Sequence, residues 1–259
     1  MTLYNEFDAK KVAWLRQLAK DGLITNGEID GRDIRDIAPS ELMGYRVCHF
    51  FAGIGGWDYA LRLAGWPDNL PIWTASCPCQ PFSAAGKRKG LDDERHLWPA
   101  LDWLISQCRP PIVVGEQVAS KDGLEWFDLV STDLEAKDYA VASFDLAAAG
   151  VGAPHIRQRQ YWVAYSHNAR QCASSWSIRD ERHDPSGSGS SYVCWGNIEY
   201  VPCFDPRDGS TKFRPIEPGT TPLANGIPAR MVRIGGYGDA IVPQLAARFL
   251  EAVIEVRSG

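Results

Sequence analysis

No stretch of this 259-residue sequence approaches the ~18 consecutive apolar residues a membrane-spanning helix requires, so a membrane anchor is not expected. Met1–Asp8 is mixed polar and acidic and does not read as a secretory leader. Regular cysteine spacing is lacking: the seven residues stand at 48, 77, 79, 108, 172, 194 and 203. An odd number without a repeating interval argues against a disulfide framework and for free thiols in a reducing cytoplasm. The phosphate-binding G-x-G-x-x-G spacing is missing, so nothing demands a dinucleotide. Internal repeats are missing too, which excludes a solenoid. A surplus of positive charge is also lacking, the net charge being −5. The deficit is uneven, however. Residues 151–235 hold ten Arg/Lys against seven Asp/Glu, a net of +3 within a chain whose remainder carries −8. One surface facing a polyanion is compatible with that split.

What is present is alternation. Thr2–Asp8, Gly27–Asp30, Arg46–Ala52, Ile72–Ala75, Pro111–Gly115, Tyr139–Leu146 and Tyr161–Tyr165 read as strands. Lys10–Leu23, Trp57–Ala64 and Ala240–Val256 carry helical spacing. Strands alternating with helices predict an α/β fold with a mostly parallel sheet. From Ser166 the patterning fades, and Pro185–Ser191 (PSGSGSS) reads as flexible. The expected organisation is a domain over 1–165, completed by 236–259, with a small irregular region over 166–235.

Four stretches carry chemistry. FAGIGG (Phe51–Gly56) follows a strand and opens a helix, where glycines let backbone approach a ligand and unpaired N–H groups point outward. SCPCQPFSAAGKRKG (Ser76–Gly90) sits past the next strand. Its Cys-x-Cys pair lacks two further ligands at zinc spacing, and redox pairs are usually Cys-x-x-Cys, which leaves one activated thiol. Cys172, His183, Cys194 and Cys203 are equally poorly spaced, and no metal is expected. GEQV (Gly115–Val118) puts Glu116 at the end of a buried strand. PHIRQRQYWVA (Pro154–Ala164) sets Arg157 and Arg159 two apart, on one face if the chain is extended.

The order of these motifs, ending in GYGDAIVP (Gly236–Pro243), resembles the DNA (cytosine-5) methyltransferase family. The resemblance implies a Rossmann-like S-adenosylmethionine-dependent methyltransferase fold whose small irregular region recognises the target in double-stranded DNA. It implies a cytoplasmic, nucleoid-associated protein of prokaryotic or phage origin, working as a monomer, as in restriction-modification. A tRNA cytosine-5 methyltransferase and an inactive DNA-binding relative share the pattern. Matched position by position, Cys79 takes the place of the catalytic thiol, Glu116 of the acid, and Arg157 and Arg159 of the paired arginines. Phe51, Gly53, Ile54, Gly55 and Gly56 match the cofactor turn, with Pro78, Asp239 and Ala240 close to the same ligand. Ser83, Lys87, Arg88, Lys89, Arg170 and Arg214 are the candidate DNA contacts; Arg179, Arg182 and Lys212 are weaker ones.

One family piece is out of place. The strand ending in Asn-Glu-x-Asp, whose Glu holds the cofactor ribose, is missing after the glycine turn. Asn5-Glu6-Phe7-Asp8 and Gly27-Glu28-Ile29-Asp30 match that unit and its partner instead, at the N-terminus. The implied order is transposed, with Glu6, Phe7, Ile29 and Asp30 expected at the cofactor. Gly31–Tyr45 is long enough for the parallel crossover this requires.

Overall fold

The computed structural model describes residues 1–78, 97–153, 156–166, 199–204, 211–216 and 240–258. Parallel strands β1 (Thr2–Asn5), β2 (Glu28–Asp30), β3 (Val47–Phe50), β4 (Ile72–Ala75) and β5 (Ile112–Val118) are joined by β6 (Tyr139–Ala147) and β7 (Gln158–Ser166) in one seven-stranded sheet, ordered β2-β1-β3-β4-β5-β7-β6. Helices are α1 (Ala9–Lys20), α2 (Gly56–Leu63), α3 (Trp98–Cys108), α4 (Lys121–Glu135) and α5 (Pro243–Ser258). Strands β8 (Glu199–Phe204) and β9 (Thr211–Ile216) form an antiparallel pair within the region read as irregular. Among the described residues no helix is long and apolar enough to cross a membrane.

Strands β1, β3, β4 and β5 are buried on both faces, as their near-continuous apolar runs require, while β2 (Glu28–Asp30) is a partly exposed edge. One face packs Leu3, Cys48, Phe50, Trp73 and Val113 against α3, α4 and the 3₁₀ turns Ile34–Asp36 and Pro39–Leu42. The other packs Ile72, Ile112, Val114 and Tyr161 against α2 and α5, while α1 covers Tyr4 and Ala52. Helices α3 and α4 are not named by the patterning above. Their apolar positions (98, 101, 104, 105 and 123, 126, 130, 134) are at helical spacing but lie between polar stretches of sequence.

The N-terminal unit is where transposition predicts. In a doubly wound sheet with places 3-2-1-4-5, β3 holds the first place, and β1 and β2 hold the second and third although they precede it in the chain. Residues Thr2–Asn5 pair in register with Val47–Phe50, and Leu3–Asn5 with Glu28–Asp30, all parallel. The β2-to-β3 crossover uses 3₁₀ turns, since it has too few residues for a long helix.

Strand β7 departs from the mostly parallel expectation for a reason. It follows β6 through a short connection, which permits an antiparallel neighbour and not a parallel one. It then pairs antiparallel with β5 over Ile112–Val118 and Arg159–Tyr165. Running backwards, β7 begins where the parallel strands end, and this brings Arg159 to the active edge.

Gly115 is demanded by packing. A Cβ there would lie 2.3 Å from Cζ2 of Trp162 and 2.7 Å from the Ala75 carbonyl oxygen. Trp162 is fully buried edge-on to Trp98 and cannot give way. Gly115→Ala is therefore expected to cost about 3 kcal/mol by overpacking and to lower the melting temperature by ~10 °C in a thermal denaturation scan.

Candidate active site

The carboxyl ends of β1, β3, β4 and β5 meet along one edge, where open α/β sheets bind ligands. Past β3 the chain turns sharply, with Phe51, Gly53 and Gly55 at φ 53°, 58° and 83°. Their surroundings separate the glycines. A Cβ on Gly55 would press Cγ2 of Ile24 at 3.0 Å, and one on Gly56 would meet Cγ1 of Ile241 at 2.9 Å. Those two are required by the chain's own packing. Gly53 has only the Phe51 carbonyl oxygen within reach, at 4.0 Å, and so faces open space. Ile54 lines an apolar cavity of about 470 Å3 with Gly55, Gly56, Tyr59, Leu18 and Ala240. Glu6, Phe7 and Asp30 lie outside that cavity, and the polar chemistry sits at the sheet edge beside it.

Glu6 ties the N-terminal unit to the turn. Its backbone N–H donates to the Asp30 carbonyl (3.0 Å), its Oε2 accepts from the Gly53 N–H (2.8 Å) and its Oε1 from the Asp8 N–H (2.9 Å). A carboxylate offers about four acceptor sites, so each oxygen retains capacity for a ligand hydroxyl. Phe7 beside it is 70% exposed, a flat apolar face with no protein cover. Asp8 caps α1 by accepting from the N–H groups of Lys10 and Lys11, which ends β1 at Asn5. Ile29 is half-buried against the cluster around Tyr4 and Leu15. Asp30 is already engaged: Arg32 Nη2 lies 2.7 Å from its Oδ2 and the Arg32 N–H 2.9 Å from its Oδ1. Burial opposes the Asp30 charge, but the Arg32 bonds outweigh it and hold the carboxyl below its usual range. A buried carboxylate with spare acceptors, an open glycine and an exposed aromatic ring together fit a ligand bearing a ribose and a flat base.

Glu116 lies on β5, buried, with its Oε1 2.9 Å from Nε of Arg159. Arg159 sits two residues before Tyr161, the cross-strand partner of Glu116, so both side chains share a face. Burial pushes the Glu116 pKa up; Arg159, Arg157 and a hydrogen bond from Ser76 pull against it, and the net shift is upward.

Arg157 departs from the sequence expectation. It precedes β7 with φ 31°, outside extended geometry, and its Nη2 donates to the Ala240 carbonyl. The two arginines do not form one fork: Arg159 holds the acid, and Arg157 fastens the chain just before α5. That helix starts at Pro243, not Ala240, because proline suits a first helical turn.

Gln117, which stands where the family motif has Asn, makes contacts the sequence did not foretell. Its Nε2 donates to the Cys77 carbonyl at 3.1 Å while its Oε1 accepts from the Val118 N–H at 2.8 Å. The chain is thus held two residues before Cys79. Cys77 itself is 3% exposed within the core, and Pro78 is half-buried. Cys79, Ser83, Lys87, Arg88, Lys89, Arg170, Arg179, Arg182 and Asp239 lie outside the described residues, as do Cys172, His183 and Cys194. Lys212 and Arg214 fall on β9 and Cys203 on β8, where the backbone alone is described. Among the described residues no group of three or more His, Cys, Asp or Glu side chains could hold a metal.

The model of the C-5 cytosine-specific DNA methylase family matches residues 65–186, a span that contains Cys79, Glu116, Arg157 and Arg159. That stretch of the chain is similar to the C-5 cytosine-specific DNA methylases. Among curated relatives, it is 27% identical over 170 residues to type II methyltransferase M.HhaI of Haemophilus parahaemolyticus, covering 50% of this chain and 52% of that one. It is 26% identical over 149 residues to type II methyltransferase M.AplI of Arthrospira platensis, covering 54% and 43%. It is 30% identical over 142 residues to type II methyltransferase M.NlaX of Neisseria lactamica, covering 51% and 45%. The chain spans about half the length of these relatives. The methylase match begins at Gly65, past the glycine turn and both N-terminal strands, so it is the sheet and not the match that brings Glu6 to the glycine turn.

Proposed function

We propose that this methylase transfers a methyl group from S-adenosylmethionine to carbon 5 of a cytosine in double-stranded DNA. The observation that supports this best is the buried Glu116–Arg159 pair at the sheet edge, beside a chain that Gln117 holds two residues ahead of Cys79. Glu6, Phe7, Gly53 and the start of α2 would hold S-adenosylmethionine, which supplies a methyl group on a sulfonium centre when bound.

Carbon 5 of cytosine is a weak nucleophile. The Cys79 thiolate adds to C6, forming a sulfur–carbon bond and pushing the ring electrons towards C5. Glu116, its proton retained by burial, donates to ring N3 and stabilises the charge that develops there. Arg159 orients Glu116 through its Nε contact and presents its remaining donors to the ring oxygen and the flanking backbone. After C5 has gained its methyl, loss of the C5 proton allows the C6–sulfur bond to break and the thiolate to leave. The target atom is inaccessible in a duplex, so the nucleotide rotates out of the stack at a cost of a few kcal/mol. Lys87, Arg88 and Lys89, with Ser83, would hold phosphates over the flipped base, and residues 166–235, including Arg170 and Arg214, would read the flanking sequence.

Two measurements test the reading. Bisulfite sequencing of DNA from cells expressing the protein is expected to show protected cytosines within one short sequence context. A duplex carrying 5-fluorocytosine in that context, incubated with the methyl donor, is expected to trap a denaturant-resistant complex, because fluorine cannot leave as the proton does. Unprotected DNA together with no trapped complex would refute the proposal.

A further inference from the structure

A hydrogen-bonded chain links the glycine turn to Glu116 through residues that no family motif assigns. Ser76 follows β4, and its Oγ accepts from the Trp57 indole Nε1–H at 3.0 Å. Ala75 pairs in parallel register with Gly115, so Ser76, the next residue, stands level with Glu116 on the adjoining strand, its hydroxyl a partner of that carboxyl. We infer that Ser76 is a positioning residue that sets the proton balance of Glu116, and that Trp57 locks it in that role; the inference rests on the cytosine-5 reading of the site.

The argument is one of donors and acceptors. An indole can only donate, and a serine hydroxyl has one proton and two lone pairs. With a lone pair of Ser76 taken by Trp57, its single proton is free for the neighbouring carboxyl. A rotor that would otherwise wander is fixed in the orientation that favours the carboxylate. Trp57 is itself immobile: it is buried, and Tyr161 packs edge-on against it with centroids 6.1 Å apart. Tyr161 is also the cross-strand neighbour of Glu116, so one aromatic pair frames both ends of the chain.

The groups facing Glu116 are Arg159 and Arg157 from the β7 side, Tyr161 on β7, and Ser76 from the end of β4. Burial favours the protonated acid, while the two guanidinium groups and the serine hydroxyl favour the anion. Serine is the one neutral member among the three, and so the one that can be removed without stripping charge from the site. Trp57 is the second residue of α2, directly after Gly56. The turn proposed to hold the methyl donor and the acid proposed to face cytosine are therefore the two ends of a single hydrogen-bonded chain.

The test reads Glu116 directly. Protein labelled with 13C at the glutamate carboxyl carbons is titrated by NMR, with Glu116→Gln assigning the signal. In Ser76→Ala the Glu116 midpoint is expected to move upward by about one pH unit, the worth of a hydrogen bond to a charged group. Ser76→Thr, which keeps the hydroxyl, should restore it. Trp57→Phe, which keeps the ring contact with Tyr161 and removes only the N–H and part of the bulk, should move it the same way by less. The alkaline limb of the kcat profile should follow, since a higher midpoint keeps the proton on Glu116 to higher pH. A midpoint unchanged in Ser76→Ala overturns the assignment. A wild-type protein that titrates as described but methylates no cytosine overturns the cytosine-5 reading beneath it and leaves the Ser76–Glu116 link standing.

Discussion

Cys79→Ser is expected to reduce methyl transfer by about 10⁴-fold or more, the scale on which loss of a covalent nucleophile acts, and to abolish the trapped complex on 5-fluorocytosine DNA. A serine hydroxyl at neutral pH is a far weaker nucleophile than a thiolate. Cys77→Ser is the informative partner. Cys77 is buried in the core with its carbonyl held by Gln117, so its role is to carry backbone and fill space. A hydroxyl in that apolar setting is expected to cost about 1–3 kcal/mol of stability and leave the kcat within a few-fold of wild type. Methyl transfer from a tritiated donor and thermal denaturation separate the two effects. Equal loss of turnover in both variants would sink the assignment of one thiol, not two, to the chemistry.

Glu6→Ala is expected to weaken S-adenosylmethionine binding by roughly 100-fold, the equivalent of a lost hydrogen-bond set to a charged group. The carboxylate bridges the Gly53 and Asp8 N–H groups and keeps acceptor sites for a ribose. Its removal takes away both the ligand's partner and the tie between the N-terminal unit and the turn. Glu6→Gln, which retains one acceptor oxygen, should fall between. Calorimetric titration reads both variants. Unchanged affinity would detach β1 and β2 from the donor site and leave the transposed order a feature of the sheet alone.

How far the sequence reaches is best judged residue by residue. Ile72–Ala75 was legible to the residue because a short, continuous apolar run flanked by turn-forming chemistry has one reading. The N-terminal unit was legible through Asn5-Glu6-Phe7-Asp8 and Gly27-Glu28-Ile29-Asp30, and the parallel pairing of β1 with β2 and β3 follows that reading. Arg157 was not, because two residues of spacing predict a shared face only in extended chain, and its backbone is left-handed. Ser76 was not either, and Gln117 was legible only as the residue in place of the family's Asn, not through its hold on Cys77. Neither belongs to a residue type that announces chemistry, and the contacts that matter, Gln117 to Cys77 and Ser76 to Trp57, join positions more than ten apart in the chain.

Order along the chain therefore determined which residue types exist to do chemistry: a thiol after one strand, an acid at the end of the next, arginines before an aromatic strand, and an Asn-Glu unit moved to the front. Tertiary structure decided which of them meet. The antiparallel run of β7 delivers Arg159 to Glu116, the parallel docking of β1 beside β3 brings Glu6 to Gly53, and the close approach of α2 to the end of β4 joins Trp57 to Ser76. These contacts depend on strand direction and burial, and both arise from packing the whole sheet, so no local stretch of sequence carries them.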